Sequence, residues 1–158
     1  MRETKNFLEL GVKNGDSALL LMLCMNSHDH IYLIDHKKSE SFIHSINKIE
    51  NISPTQISYI ISKTSDERAI HSLKNSCDFI HIDAGHMYHQ VKYDIEQYLP
   101  FLSYHRFLVI NDFFQPRWPG VTEAVYDIII KNSSGTELNP FLIGFNKLYL
   151  CRKQIKDT

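Results

Sequence analysis

Three stretches of this chain end an apolar run on groups that can do chemistry. Phe79-Ile80-His81-Ile82 stops on Asp83-Ala84-Gly85-His86, a carboxylate, a tight turn and an imidazole. Phe107-Leu108-Val109-Ile110 stops on Asn111-Asp112, and Phe7-Leu8-Glu9-Leu10 opens into Gly11-Val12-Lys13-Asn14-Gly15. Two carboxylates, an amide and an imidazole could hold a divalent cation or move a proton. A cation makes a bound hydroxyl more acidic, and an imidazole beside it can take the proton. Glycines after a strand let a ligand approach the backbone closely, and the helix behind them offers free N–H groups. The turn is not the Gly-x-Gly-x-x-Gly of dinucleotide enzymes, because Glu9 stands two residues before Gly11. An acid there suits a cationic ligand better than a pyrophosphate. Asp35 lies 24 residues past Gly11, where a strand-end carboxylate accepts both hydroxyls of a ribose or merely caps the next loop.

These groups need strands that end side by side. Apolar runs at 7–10, 31–34, 57–61, 77–83 and 107–110 predict five strands. Helices are expected between them. Asp16 and Ser17 can cap one over residues 18–25, apolar nearly all round and so expected to be buried. Phe42, Ile43, Ile46 and Ile49 mark one face of a second, and Pro54 interrupts after it. Thr64-Ser65-Asp66-Glu67 has the form of a capping box before Ala69, Ile70 and Leu73. Val91, Ile95, Tyr98, Leu99 and Leu102 follow at helical spacing, with Pro100 bending or ending that helix. Pro119-Gly120 leads into a helix with Val121, Ala124, Val125, Ile128 and Ile129 on one face, ended by Ser133-Ser134-Gly135. Residues 138–145 and 148–152 read as an antiparallel pair turned at Asn146-Lys147. The alternation predicts a single α/β domain over 1–158, a mostly parallel seven-stranded sheet with helices on both faces and a C-terminal antiparallel hairpin. Ligands of such sheets sit beyond the carboxyl ends of the strands.

Composition excludes several classes. A net charge of −1 gives no electrostatic reason to bind nucleic acid or a membrane surface. The three cysteines, Cys24, Cys77 and Cys151, fit no zinc or redox spacing and read as reduced core residues of a cytoplasmic protein. The apolar run at 18–25 is too short to span a bilayer. Among nine histidines, only His86 has a position that suggests chemistry.

In the order they occur, Glu9-Leu-Gly11-x-x-x-Gly15, Ile-Asp35, Phe-Ile-His-Ile-Asp83-Ala-Gly-His86-x-Tyr88, Val91-x-x-Asp94-Ile95, Val-Ile-Asn111-Asp112 and Trp118-Pro-Gly-Val resemble class I S-adenosylmethionine-dependent methyltransferases. The likeness is greatest to the small-molecule O-methyltransferase branch, which includes macrolide-sugar and, more distantly, catechol enzymes. It covers nearly the whole chain and implies a Rossmann-like methyltransferase fold. It also implies cofactor contacts from Glu9, Gly11, Gly15, Asp35, Ser65, Asp66 and Asp83, with Ser65 and Asp66 on the adenine side. Asp83, Asn111 and Asp112 match a magnesium site, whose hard oxygen ligands leave positions open for substrate. His86 falls where the catechol enzyme carries a basic residue beside the metal, so Asp83 and His86 form the expected catalytic pair.

Plainer alternatives stand beside these assignments. Asp83 and Asp112 could bind only cofactor or backbone, and His86 could hold the Asp83 loop. Trp118 could pack its own loop or wall the acceptor, and Tyr88 could lie in the core or beside adenine. The branch usually carries helices before the first strand that cover the cofactor, whereas residues 1–6 alone precede it here. The chain therefore reads as a minimal core, a fragment, or one subunit of a homo-oligomer whose partner supplies the lid. The expected activity is magnesium-assisted O-methylation of a small hydroxylated acceptor, a sugar or phenol. The competing reading is a non-catalytic module that binds the cofactor or a partner.

Overall fold

Each apolar run becomes a strand. The computed structural model describes residues 3–49, 56–131 and 137–154. In chain order the elements are β1 (Asn6–Leu10), α1 (Asp16–Cys24), β2 (His30–Asp35), α2 (Glu40–Ile49), β3 (Gln56–Ile61), α3 (Glu67–His71), β4 (Cys77–Ile82) and α4 (Tyr88–Tyr98). A single 3₁₀ turn (Leu99–Phe101) leads to β5 (Leu102–Ile110), then α5 (Pro119–Val125), a π-helical turn (Tyr126–Ile130), β6 (Leu138–Gly144) and β7 (Lys147–Arg152). The Pro54 break, the Ser133-Ser134-Gly135 stop and the side chain of Ile49 lie outside the described residues.

The sheet order is β3-β2-β1-β4-β5-β7-β6. Strands β1 to β5 run parallel, while β7 is antiparallel to both β5 and β6. The chain reverses its direction of travel across the sheet between β1 and β4, the crevice where such sheets bind ligands. Register does the rest. Leu10 pairs with Ile34 and Ile82, and Ile82 pairs with Ile110. Gly11, Asp35, Asp83 and Asn111 therefore emerge at one level. The ladder continues one residue further: Gly11 N–H donates to the Ile34 carbonyl (2.8 Å), Asp83 N–H to Leu10 (2.8 Å) and Asn111 N–H to Ile82 (2.9 Å).

Alternate residues of the strands serve opposite faces. Leu8, Leu10, Ile80, Ile82, Leu108 and Ile110 pack with Val91 and Ile95 of α4 and Val121 and Val125 of α5. On the other face Ile31 and Leu33 meet Ala18 and Met22 of α1 and Phe42 and Ile46 of α2.

Local details depart from expectation. Helix α1 buries only Ala18 and Met22, while Leu20 and Leu23 are 66% and 56% exposed. A helix lying on one sheet face can bury only one stripe, whatever its composition. Cys24 is likewise exposed, Cys77 buried and Cys151 half-buried, all three as free thiols. No side-chain cap forms at α1: Gly15 takes the cap position, and the Ser17 hydroxyl turns to Glu9 instead. The 64–67 capping box does not form either, because Asp66 holds the Ser62 hydroxyl at 3.0 Å. Pro100 ends α4, and Leu102 belongs to β5 rather than to the helix. The hairpin turns at Phe145-Asn146, both at positive φ (52° and 57°), so Lys147 is the first residue of β7.

Candidate active site

The strand ends open into a cleft of about 1500 Å³. Gly11, Asp35, Ser65, Asp83, His86 and Asp112 line it, as does Asn111. Glu9, Gly15 and Asp66 are absent from its lining and sit behind it.

Two glycines shape the β1 end of the cleft. Gly11 has φ +83°, and a Cβ there would stand 2.1 Å from the Asp83 carbonyl oxygen. Gly15 has φ +81°, and its Cβ would overlap the Phe42 ring at 1.9 Å. The turn is thus drawn against the β4 loop on one side and α2 on the other, where no larger residue fits. Asp35 locks it. Its Oδ2 accepts the N–H groups of Val12 and Lys13, both at 2.8 Å. Its Oδ1 accepts Lys37 N–H at 3.0 Å and lies 3.1 Å from His36 Nδ1. Burial works to raise the Asp35 pKa, but the N–H groups of Lys13, Lys37 and Val12 outweigh it and hold the carboxyl below its ordinary value. Further round, two tyrosines of α4 strap the loop after β3: Tyr98 Oη donates to the Thr64 carbonyl (2.8 Å) and Tyr93 Oη to that of Ser65 (3.3 Å).

The other end is built from side chains. His86 Nε2 lies 2.9 Å from Asp112 Oδ2. An ionised carboxylate only accepts, so this ring nitrogen donates. The imidazole stacks on Trp118, with centroids 4.3 Å apart and planes 20° apart. Trp118 therefore holds the ring of His86 as well as its own loop. Asp112 sits at φ +57°, an uncommon conformation for a non-glycine residue and one that recurs at functional sites. Asp83, His86 and Asp112 offer ligand atoms within 4.8 Å of one another. Asn111 is turned otherwise: its Nδ2 donates to Asp83 Oδ1 at 2.8 Å, and its oxygen accepts the Lys147 ammonium. Burial pushes the Asp83 carboxyl up; Asn111, His81 and Lys147 oppose the rise, and Asp112 adds to it. Tyr88 donates to Asp127 Oδ2 at 3.0 Å, joining α4 to the π-helical turn.

Beneath the cleft runs a polar chain that the sequence reading missed. Buried Glu9 accepts the Ser17 hydroxyl and His81 Nδ1 (3.0 Å) on its Oε1. His81 Nε2 faces Lys147 Nζ at 3.0 Å, and Lys147 reaches on to Asn111. Glu9 thus supports the site from below. The available signal was an imidazole inside the apolar run Phe79–Ile82. Its partner Glu9 becomes evident only with the β1–β4 register, and Lys147 only with the turn.

A family model described as a methyltransferase domain matches residues 8–113, which contain Glu9, Gly11, Asp35, Ser65, Asp83, His86, Asn111 and Asp112 but not Trp118 or Lys147. The chain belongs to this methyltransferase family. Solved methyltransferase structures share its fold. The apo structure of CalS11, a TDP-rhamnose 3′-O-methyltransferase of calicheamicin biosynthesis, superposes with a TM-score of 0.69 at 13% identity, covering 93% of this chain and 71% of that one. A putative rRNA-methylase from Clostridium thermocellum gives 0.75 at 8% identity, covering 100% and 90%. The mycinamycin-pathway methyltransferase MycE, solved with Mg and SAH, gives 0.67 at 14% identity, covering 96% and 46%. Sequence comparison with curated proteins gives no significant match. Among the described residues, no helix is long and apolar enough to cross a membrane.

Proposed function

We propose that this methyltransferase uses S-adenosylmethionine to methylate a hydroxyl of a small acceptor, a sugar or a phenol, in the cytoplasm. The observation that carries the reading is the cleft itself. A glycine turn and a ribose-type acid stand at one end, and a His86–Asp112 pair beside Asp83 stands at the other. Gly11 and Asp35 hold the cofactor, with Ser65 on the adenine side. Glu9, Gly15 and Asp66 support that site from behind its lining.

The chemistry at the other end follows from the residues. A neutral hydroxyl is a poor nucleophile until its proton leaves. His86, oriented by Asp112 and Trp118, takes that proton. The oxygen attacks the methyl carbon, the carbon–sulfur bond breaks, and its electrons stay on sulfur. The step depends mainly on alignment. Asp83 and Asp112 would hold a magnesium ion with His86 in reach, and their clustered hard donors fit one. The ion would acidify and orient the acceptor hydroxyl. Asn111, the third expected ligand, donates its amide N–H to Asp83 Oδ1 and so orients that carboxylate.

Calorimetry with S-adenosylhomocysteine, followed by methyl transfer to a panel of sugars and phenols with magnesium or chelator, tests this. Binding and magnesium-dependent transfer to oxygen are expected. Binding without transfer to any acceptor would favour the non-catalytic module.

A further inference from the structure

The two faces of the sheet are not covered alike. On the face opposite α4 and α5, the cluster under α1 and α2 takes residues from β1, β2 and β3 and, among the described residues, none from β4 to β7. What lies beyond that cluster is largely aromatic. Phe7 pairs with Phe79, Phe79 with Phe107 and Phe107 with Cys151, so all four share this face. Tyr149 joins them through its pairing with Val109 and Leu142. The irregularity between Pro140 and Leu142 brings Phe141 to the same side, its ring 5.6 Å from that of Phe107 and 6.3 Å from that of Tyr149. Phe107, Phe141 and Leu142 are 45%, 54% and 52% exposed. Phe79, Tyr149 and Cys151 are half-buried, and none of these side chains is charged.

We propose that this face is the interface of a homodimer, in which two copies pack sheet on sheet across a two-fold axis at β5, β7 and β6. Its area fits that occupant. The exposed parts of these side chains come to roughly 500 Å² per copy, taking about 200 Å² for a whole large side chain. Two copies then bury about 1,000 Å², the size at which specific interfaces begin. Its charge fits as well. An uncharged patch gives a partner of opposite sign nothing to recognise, whereas an apolar face meeting its own copy is complementary by symmetry. The neighbouring edge points the same way. Strand β6 ends the sheet, and Pro140 and the bulge beside it blunt that edge against strand addition. No such device protects the face, so the copies meet through faces rather than edges.

Sedimentation equilibrium of the full chain reads the assembly directly. The wild type is expected at twice the 18.5 kDa chain mass at micromolar concentration. Phe107→Glu and Phe141→Glu should each sediment as monomers. Leu20→Glu, on the exposed side of α1, should remain dimeric. Circular dichroism and Tm check that each variant is folded. A second measurement needs no variant. Maleimide labelling of Cys151 should slow several-fold as the wild type is concentrated through its dissociation constant, while exposed Cys24 on α1 should label at a constant rate. A wild type that is monomeric at every concentration overturns the proposal and leaves the face to a different partner. A dimer that survives both glutamates, or that Leu20→Glu also dissolves, overturns it too, as does Cys151 labelling that ignores concentration.

Discussion

The two ends of the cleft are made of different materials. At the end proposed for the cofactor the polar groups are mostly backbone: the Gly11 turn, the N–H groups on Asp35, and the carbonyls held by Tyr93 and Tyr98. At the end proposed for the acceptor they are side chains held by side chains: His86 on Asp112 and Trp118, Asp83 on Asn111, Asn111 on Lys147. The first end is built by the fold and comes with it. The second is a constellation that the fold merely carries, and it can be altered without touching the first. Substitutions should therefore separate into those that lower stability and cofactor binding together and those that lower turnover alone.

Gly11→Ala should have the largest effect. The new methyl would meet the Asp83 carbonyl at 2.1 Å, and backbone on both sides leaves little room to yield. Overlap and the positive φ together should cost about 3 kcal/mol or more. Thermal unfolding should show a large fall in Tm, with cofactor binding lost. A normal Tm would mean that the two loops are looser than their packing indicates.

His86→Ala should do the reverse. Loss of a general base typically lowers turnover by roughly 10²–10⁴-fold. The ring contributes a stack on Trp118 and one hydrogen bond, so cofactor affinity and Tm should change little. At high pH, where the acceptor ionises unaided, part of the rate should return. Normal turnover with the true acceptor would leave His86 as the residue that holds the Asp112 loop.

That separation also explains what the sequence could and could not reveal. The strands were legible because buried parallel strands are apolar runs, and their polar stops were legible because chemistry sits there. Side-chain partnerships were not, since each depends on register. His81 meets Glu9 only because β1 and β4 are neighbours aligned at that level. Lys147 reaches Asn111 because the hairpin turns one residue earlier than its composition suggested and pairs Leu148 with Ile110. The burial expected of α1 failed for a related reason. An apolar helix declares its composition, but the sheet decides which stripe it can hide, and Leu20 and Leu23 remain outside.

Asp35→Ala lies between the two classes. Ribose recognition alone would weaken cofactor binding without touching the empty protein. The structure requires more, because the N–H groups of Val12, Lys13 and Lys37 would lose their acceptor. Cofactor affinity should fall at least tenfold, about 1.4 kcal/mol, and the ligand-free protein should lose about 1–3 kcal/mol as well. The pH dependence has a definite sign. The folded pKa of Asp35 lies below its unfolded value. Its stabilisation is therefore present above the unfolded value, about 3.9, and is lost as pH falls through the folded one. Acid unfolding of Asp35→Ala should lack that contribution. An unchanged Tm with weakened binding would make Asp35 a ligand contact only.

The smallest effect tests the buried chain that joins the two ends. Ser17 donates to Glu9 Oε1, which also faces His81, while Glu9 Oε2 has no partner among the described residues. Ser17→Ala removes one donor from a buried carboxylate and leaves the other in place. The loss should be about 1 kcal/mol, the usual net worth of one such hydrogen bond. Its distribution is more informative than its size. If the chain from Glu9 through His81 and Lys147 to Asn111 acts as one unit, Ser17→Ala and Lys147→Met should be non-additive in a double-mutant cycle of thermal stability. Ser17 lies in the first turn of α1 and Lys147 begins β7, so the two belong to different elements and are joined by this chain of hydrogen bonds. Strict additivity would mean that the cofactor turn and the acceptor site are supported independently, and that His81 merely fills the space between them.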